Sequence, residues 1–137
     1  MALLVDTTVF ILLERRRLDL EALAAMDPAT QDEDVSIATI TASELLVGVH
    51  RAVSNEQQMR RGAFVESILE RLPVLPFDLR SARVHARLVA QLDREGARIG
   101  AHDLLIAATA LNHGCAVLTT NIRDFSRVPG LDVRPLQ

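Results

Sequence analysis

Lysine is missing from this chain of 137 residues, and so are tryptophan and tyrosine. Every one of the 15 basic residues is therefore an arginine, whose planar fork suits phosphate and carboxylate better than a point charge does. Aromatics reach only 3 %, which predicts an aliphatic core and argues against an RNA binder built on base-stacking platforms. The lone Cys115 has no partner for an internal disulfide; within "GCAVLTT" it reads as a packed thiol in a reducing cytoplasm. Long hydrophobic runs are lacking too. The opening "MALLVDTTVF" is split by Asp6, and Arg15, Arg16 and Arg17 follow the apolar run instead of preceding it, which does not suit a signal peptide. Nothing else approaches membrane-spanning length, so a soluble cytoplasmic protein with no membrane partner is expected. What is present is 49 % hydrophobic residues at a net charge of −3, enough for one folded domain over 1–137.

Strands and helices alternate along the chain. "ALLVD" suits a buried parallel strand ending on a carboxylate, and "TTVFILLERRR" a helix capped by Thr7 or Thr8. "LDLEALAAM" predicts a short helix, closed by a polar loop with Pro28 as breaker. "VSIAT", "VLPF" and "AVLTT" read as further strands, with "LDVRPL" as a fifth at the edge. Helices are expected over "TASELLVGVHRAV", "NEQQMRRGAFVESILERL" and "LRSARVHARLVAQLDREG", the last with Val84, Leu88 and Leu92 as a core stripe. The nearly all-apolar "AHDLLIAATALNHG" should be a buried helix. This order predicts an α/β fold, a twisted, mainly parallel sheet of four to five strands flanked by helices.

Open parallel sheets place their chemistry beyond the carboxyl ends of the strands. Asp6 stands at such an end, where it could cap the next helix or point into a crevice. Glu44 follows the second strand; Thr41-Ala42-Ser43-Glu44 also matches a capping box, in which Glu44 folds back to the Thr41 amide. Asp103 opens the apolar helix, where an acid suits the helix dipole but, beside a core, needs a partner or a metal. Asp124 lies just beyond the fourth strand, past Thr120 and Asn121, and could be a turn residue. Each acid has a local explanation, yet all four fall where a parallel sheet converges on one edge. Clustered carboxylates repel unless protonated or sharing a cation, and an oxygen-only donor set favours Mg²⁺ or Mn²⁺ over Zn²⁺. Such a site suits metal-assisted phosphodiester hydrolysis. His102 points about 100° away from Asp103 on a helix, so it reads as a surface or supporting residue.

With "LLVDTTVFI", "ITASELLVGV", "IGAHDLLIAATAL" and "LTTNIRDFSRVPGL" in this order, the chain resembles the PIN-domain nucleases, specifically the VapC-type toxins of bacterial toxin–antitoxin pairs. The resemblance spans essentially the whole chain. It implies a PIN-like fold, endoribonuclease activity on RNA, one or two Mg²⁺ or Mn²⁺ ions, inhibition by a cognate VapB-type antitoxin, and a homodimer. By motif it makes Asp6, Glu44, Asp103 and Asp124 the catalytic acids. Asp6 and Asp103 would be the principal metal ligands, joined by Glu44 and Asp124, with Thr7, Thr120 and Asn121 in support. Many relatives carry an acid directly after the threonines; here Asn121 stands there and the acid comes at Asp124. Rim arginines for RNA would be Arg15 to Arg17 and Arg98, and an antitoxin helix would lie against the short helices around "VFILLE" and "LDLEALAAM". The alternative is a PIN-like binding or regulatory module with little catalysis. Haloacid-dehalogenase-type phosphatases and response-regulator receivers fit poorly: Thr8 stands where the first needs a second Asp, and the second needs a lysine.

Overall fold

The apolar strand β1 (Ala2–Val5) occupies the centre of a five-stranded sheet in the computed structural model, which describes residues 2–136. The strand order is β3-β2-β1-β4-β5, with β2 at Val35–Ala38, β3 at Val74–Leu75, β4 at Cys115–Thr119 and β5 at Val133–Pro135. Every pairing is parallel, with Leu4 opposite Ser36 on one side and Val117 on the other. The chain runs outward from β1 through β2 to β3, then returns to lay β4 against the other flank of β1. Strand order therefore reverses between β1 and β4, and the crevice of such a sheet opens beyond their carboxyl ends.

Successive residues of a strand face opposite sides, and the core divides accordingly. Leu4, Ala38 and Val117 face one layer with Leu88, Ile106 and Phe125; Val5, Ile37 and Leu118 face the other with Val9, Phe10, Leu13 and Ile68. The first layer is made by α5 (Leu79–Glu95), α6 (Ala101–His113) and α7 (Ile122–Phe125). The second is made by α1 (Thr7–Arg15), α2 (Leu20–Met26), α3 (Thr39–His50) and α4 (Asn55–Arg71). The core is mostly aliphatic, though a fully buried phenylalanine anchors each layer, Phe10 in one and Phe125 in the other. Leu88 and Leu92 are buried and Val84 packs against the first layer, as the stripe predicts. Cys115 is buried as a free thiol. No helix among the described residues is long and apolar enough to cross a membrane.

Three local expectations are corrected. The residue preceding α1 is Asp6, so Thr7 and Thr8 lie inside the helix and neither caps it. Likewise α3 starts at Thr39, preceded by Ala38, which puts Thr41 and Glu44 within the helix and dissolves the capping box. Strand passes into helix with almost no loop at both places, and the turn that a cap would serve does not exist. The third is an omission: α7 and a single 3₁₀ turn at Pro28–Gln31 are too short for a period to show in the sequence.

Two helix ends matter for the site. Asp78 caps α5, accepting the Ser81 amide at 2.9 Å. Gly96 ends α5 with φ of 67°, a left-handed turn that glycine adopts without strain. The chain then reverses, so that α6 begins beside the carboxyl ends of the strands and carries Asp103 in its first turn.

Candidate active site

Asp6 takes the first position beyond β1, its amide still bonded to the Leu118 carbonyl at 2.9 Å. It is 1 % exposed, and its side chain does not cap α1. Instead Oδ2 accepts hydroxyl bonds from Thr8 and from Thr119, both at 2.7 Å. Burial pushes the Asp6 carboxyl above its usual range, while these hydroxyls pull it back. Thr119 is the fully buried last residue of β4, and its Oγ1 also accepts the Asn121 amide at 2.8 Å. Thr119 went unnoticed in the sequence, where Thr120 and Asn121 drew attention; Thr120 reaches the site through its backbone amide, which donates to Thr8 at 3.3 Å. Thr119→Val keeps the shape but removes a donor from Asp6 and an acceptor from Asn121. We expect it to cost about 1–3 kcal/mol in denaturant unfolding, with Thr119→Ser restoring both bonds and most of the stability.

Glu44 sits one turn into α3 and faces α1. The Thr7 hydroxyl donates to its Oε1 at 2.8 Å and lies 3.0 Å from the Thr41 hydroxyl. The other oxygen, Oε2, is 3.3 Å from Nδ1 of His102, which stands at the start of α6 and is more than half exposed. His102 thus meets Glu44 across the crevice and not the ligand position next to it in sequence. Asp103 and Asp124 share one donor: the Asn121 amide nitrogen lies 3.2 Å from Oδ2 of each. Arg127 stands further out, 3.8 Å from Asp124 Oδ1, and donates to the Arg98 carbonyl at 2.8 Å.

Electrostatics ties the four acids together. Burial, then the charges of Asp6, Asp124 and Glu44, push Asp103 up to about 6, against the opposing hydrogen bond from Asn121. The charge that destabilises Asp103 is thus the sum of the other three carboxylates, so the sheet brings all four within electrostatic reach. Among the described residues, no three His, Cys, Asp or Glu side chains are arranged so that together they could hold a metal ion. Hydroxyls occupy Asp6 and Glu44, and an amide bridges Asp103 and Asp124, so neutral donors stand between groups that would otherwise repel.

Of the rim arginines that the sequence suggested, Arg98 is exposed in the turn before α6, its carbonyl accepting from Arg127, but the other three are remote. Arg15, Arg16 and Arg17 stand at the far end of α1, about 13 Å along the helix from Asp6. A groove of about 200 Å³ lies between α1, α3 and α4, lined by Phe10, Ile11, Leu45 and Phe64, with Glu44 in its wall. Arg61 crosses its floor, donating to Glu14 at 3.1 Å and to the Gly48 carbonyl at 3.0 Å.

A family profile described as the PIN domain matches residues 3–131. The ribonuclease VapC1 of Rickettsia felis is 35 % identical over 133 residues, covering 97 % of this chain and 95 % of that protein. The tRNA(fMet)-specific endonuclease VapC of Salmonella typhimurium is 35 % identical over 97 residues, 71 % of either chain. The crystal structure of DNA-bound VapBC from Salmonella typhimurium superposes with a TM-score of 0.86 at 28 % identity, covering 100 % of this chain and 99 % of that one. A crevice at the reversal of a parallel sheet, four acids around it and relatives of this closeness lead to one assignment: the chain belongs to the PIN-domain family, on its VapC ribonuclease branch.

Proposed function

We propose that this chain is the toxin of a toxin–antitoxin pair, one PIN domain over residues 1–137 that hydrolyses RNA in the cytoplasm with Mg²⁺ or Mn²⁺. The observation that carries the reading is Asp103, pushed up to about 6 by burial and then by the charges of three neighbouring carboxylates. A protein gains nothing in stability from such a cluster, whereas a cation would relieve all four charges at once. The donor set fits: every acid offers hard oxygens, and the one imidazole at the crevice, His102, is turned to Glu44 Oε2 at 3.3 Å. Mg²⁺ keeps several waters and needs only one or two carboxylates, so a closed cage of three protein ligands is not required. Asp6 and Asp103 would be its main holders, with Glu44 and Asp124 within reach.

When bound, the ion would polarise a phosphate oxygen and lower the pKa of a water. The chain's own part is positional. Thr8 and Thr119 hold Asp6 in one rotamer, and Asn121 keeps Asp103 and Asp124 together. Glu44, fixed by Thr7, accepts the proton of the attacking water. In-line attack on phosphorus breaks the bond to O3′ and leaves a 3′-hydroxyl and a 5′-phosphate. The antitoxin would place a helix in the groove between α1, α3 and α4, where Ile11 is 40 % exposed and Glu44 is directly reachable. That seat is displaced from the α1–α2 edge that the sequence suggested.

The reading is tested by the cation. Mg²⁺ and Mn²⁺ should each raise the melting temperature of the purified protein, since they bind the native cluster alone. The shift should shrink in Asp6→Asn and persist in Glu70→Gln, an exposed acid on α4. Chelator should stop cleavage of total cellular RNA without unfolding the protein. Cleavage that continues with all metal removed would defeat this mechanism.

A further inference from the structure

Helix α5 carries Arg80, Arg83, Arg87 and Arg94, and at about 100° per residue these four fall within an arc of roughly 60°. All four are exposed. Ser81, Leu88 and Leu92 turn the opposite side of the helix into the core, so the arginine arc faces solvent along its whole length, about 21 Å from first to last. None of the four makes a side-chain hydrogen bond or ion pair among the described residues. Arg61, Arg71 and Arg127 pair with Glu14, Glu21 and Asp124; Arg15, Arg16 and Arg17 are unpaired too among the described residues, but only on α5 do free arginines line one helix face over several turns. The acids of α5 lie off the arc, Asp93 about 80° to one side and Glu95 about 60° to the other, where Glu95 accepts from Gln91. The arc itself therefore carries one sign of charge on a chain whose net charge is −3.

The stripe also leads somewhere. At one end of the α5–α6 hairpin, Asn112 bonds Asp78 and Ser81, both at 3.0 Å, so the start of α5 lies beside the end of α6. At the other end, Gly96 and the short turn that follows it bring α5 to the first turn of α6, where Asp103 stands. Arg94 is therefore the stripe member nearest the carboxylates. Exposed Arg98 follows in the turn between α5 and α6, its carbonyl held by Arg127, which faces Asp124.

We propose that Arg80, Arg83, Arg87 and Arg94, continued by Arg98, form a rail that binds the phosphate backbone of RNA and leads the strand to the four carboxylates. The proposal rests on the ribonuclease reading above. Four unpaired guanidinium groups in a line complement an evenly charged polyanion, and they supply the positive field that an acidic centre lacks. Backbone contacts position a strand without reading its sequence, so the rail sets affinity while the crevice selects the bond.

The test compares wild type with the triple variant Arg83→Gln, Arg87→Gln, Arg94→Gln. One substrate is a fluorescein-labelled RNA longer than the rail, and the other a short RNA spanning only the cleaved bond. On the long RNA the variant should show KM raised about tenfold or more at low salt, and the log–log salt slope should flatten by about 2, three contacts at 0.7 each. Its kcat, its melting temperature and its cleavage of the short RNA should match wild type. An equally neutralising triple, Arg15→Gln, Arg16→Gln, Arg17→Gln, should leave the salt slope of the long substrate nearly unchanged. If wild type cuts RNA and the α5 variant keeps the same KM and slope, the rail is wrong while the ribonuclease reading stands. Equal losses on the short RNA, or in the α1 triple, would overturn it as well. If wild type cuts no RNA, the ribonuclease reading itself fails.

Discussion

Asp103→Asn should abolish RNA cleavage and, in the same metal-free protein, raise stability. The substitution keeps the volume and leaves an oxygen to accept from Asn121, so the local bonding survives. What it removes is a charge that burial opposes first and three other carboxylates oppose next. The sign follows from proton binding. Asp103 titrates near its ordinary 3.8 when unfolded and at about 6 when folded. Between those values the native state holds more protons than the unfolded one, so stability falls as pH rises from about 4 to about 6 and stays lowered above that. The full shift corresponds to about 3 kcal/mol, and solvent screening of a half-buried group reduces this to about 1–2 kcal/mol. Asp103→Asn should therefore melt roughly 3–8 °C higher than wild type at pH 7.5 without metal, and the gap should close near pH 4. Asp6 is pushed the same way, so a shallower slope remains in the variant. Thermal melts across this range, with and without Mg²⁺, separate the two effects: added ion should stabilise wild type and do little for Asp103→Asn. A variant that cuts RNA normally would remove Asp103 from the proposed chemistry, and one that melts lower than wild type at every pH would contradict the electrostatic account.

Such an exchange of stability for chemistry explains which parts of the molecule were legible before the structure. The strands were, because Leu3, Leu4 and Val5 or Ala116, Val117 and Leu118 are uninterrupted apolar runs that only a doubly covered sheet accommodates. The acids were legible for a related reason: a carboxylate at the end of such a run is costly in a core and has a use at the edge. Helix starts were misread because capping rules assume a loop, and here β1 hands over to α1 across one residue. The same miscount made Glu44 look like a cap, although the earlier start of α3 turns Glu44 toward Thr7. Thr119 was invisible for a different reason. Its partner Asp6 is 113 residues away, and no local pattern in "LTTN" distinguishes a hydroxyl that fixes a carboxylate from its exposed neighbour. The α5 arginines were in plain view at helical spacing, but their freedom from carboxylates is a property of the fold and not of the string.

Glu44→Gln should lower turnover by about a hundredfold to ten-thousandfold, the range that a lost general base accounts for, at nearly unchanged stability. The structure makes this substitution cleaner than the sequence alone allowed. Glu44 does not cap α3, so no helix end depends on it. Glutamine keeps a carbonyl oxygen for the Thr7 hydroxyl, 2.8 Å away in the native protein, and its amide can donate to His102 Nδ1 if the ring carries its proton on the other nitrogen. What glutamine cannot do is take a proton from water. The loss should fall on kcat, with KM for RNA little changed, because the proposed role of Glu44 is toward the attacking water and not the strand. Cation-induced stabilisation should persist in large part, since Asp6 and Asp103 remain; this distinguishes Glu44 from the two acids proposed to hold the ion. Two further outcomes would each be decisive. Normal kcat would mean that another group accepts the proton, leaving Glu44 a structural link between α1 and α3. A collapse of cation stabilisation as large as that in Asp6→Asn would instead make Glu44 a ligand, so that its charge holds the ion and the base must be sought elsewhere in the crevice.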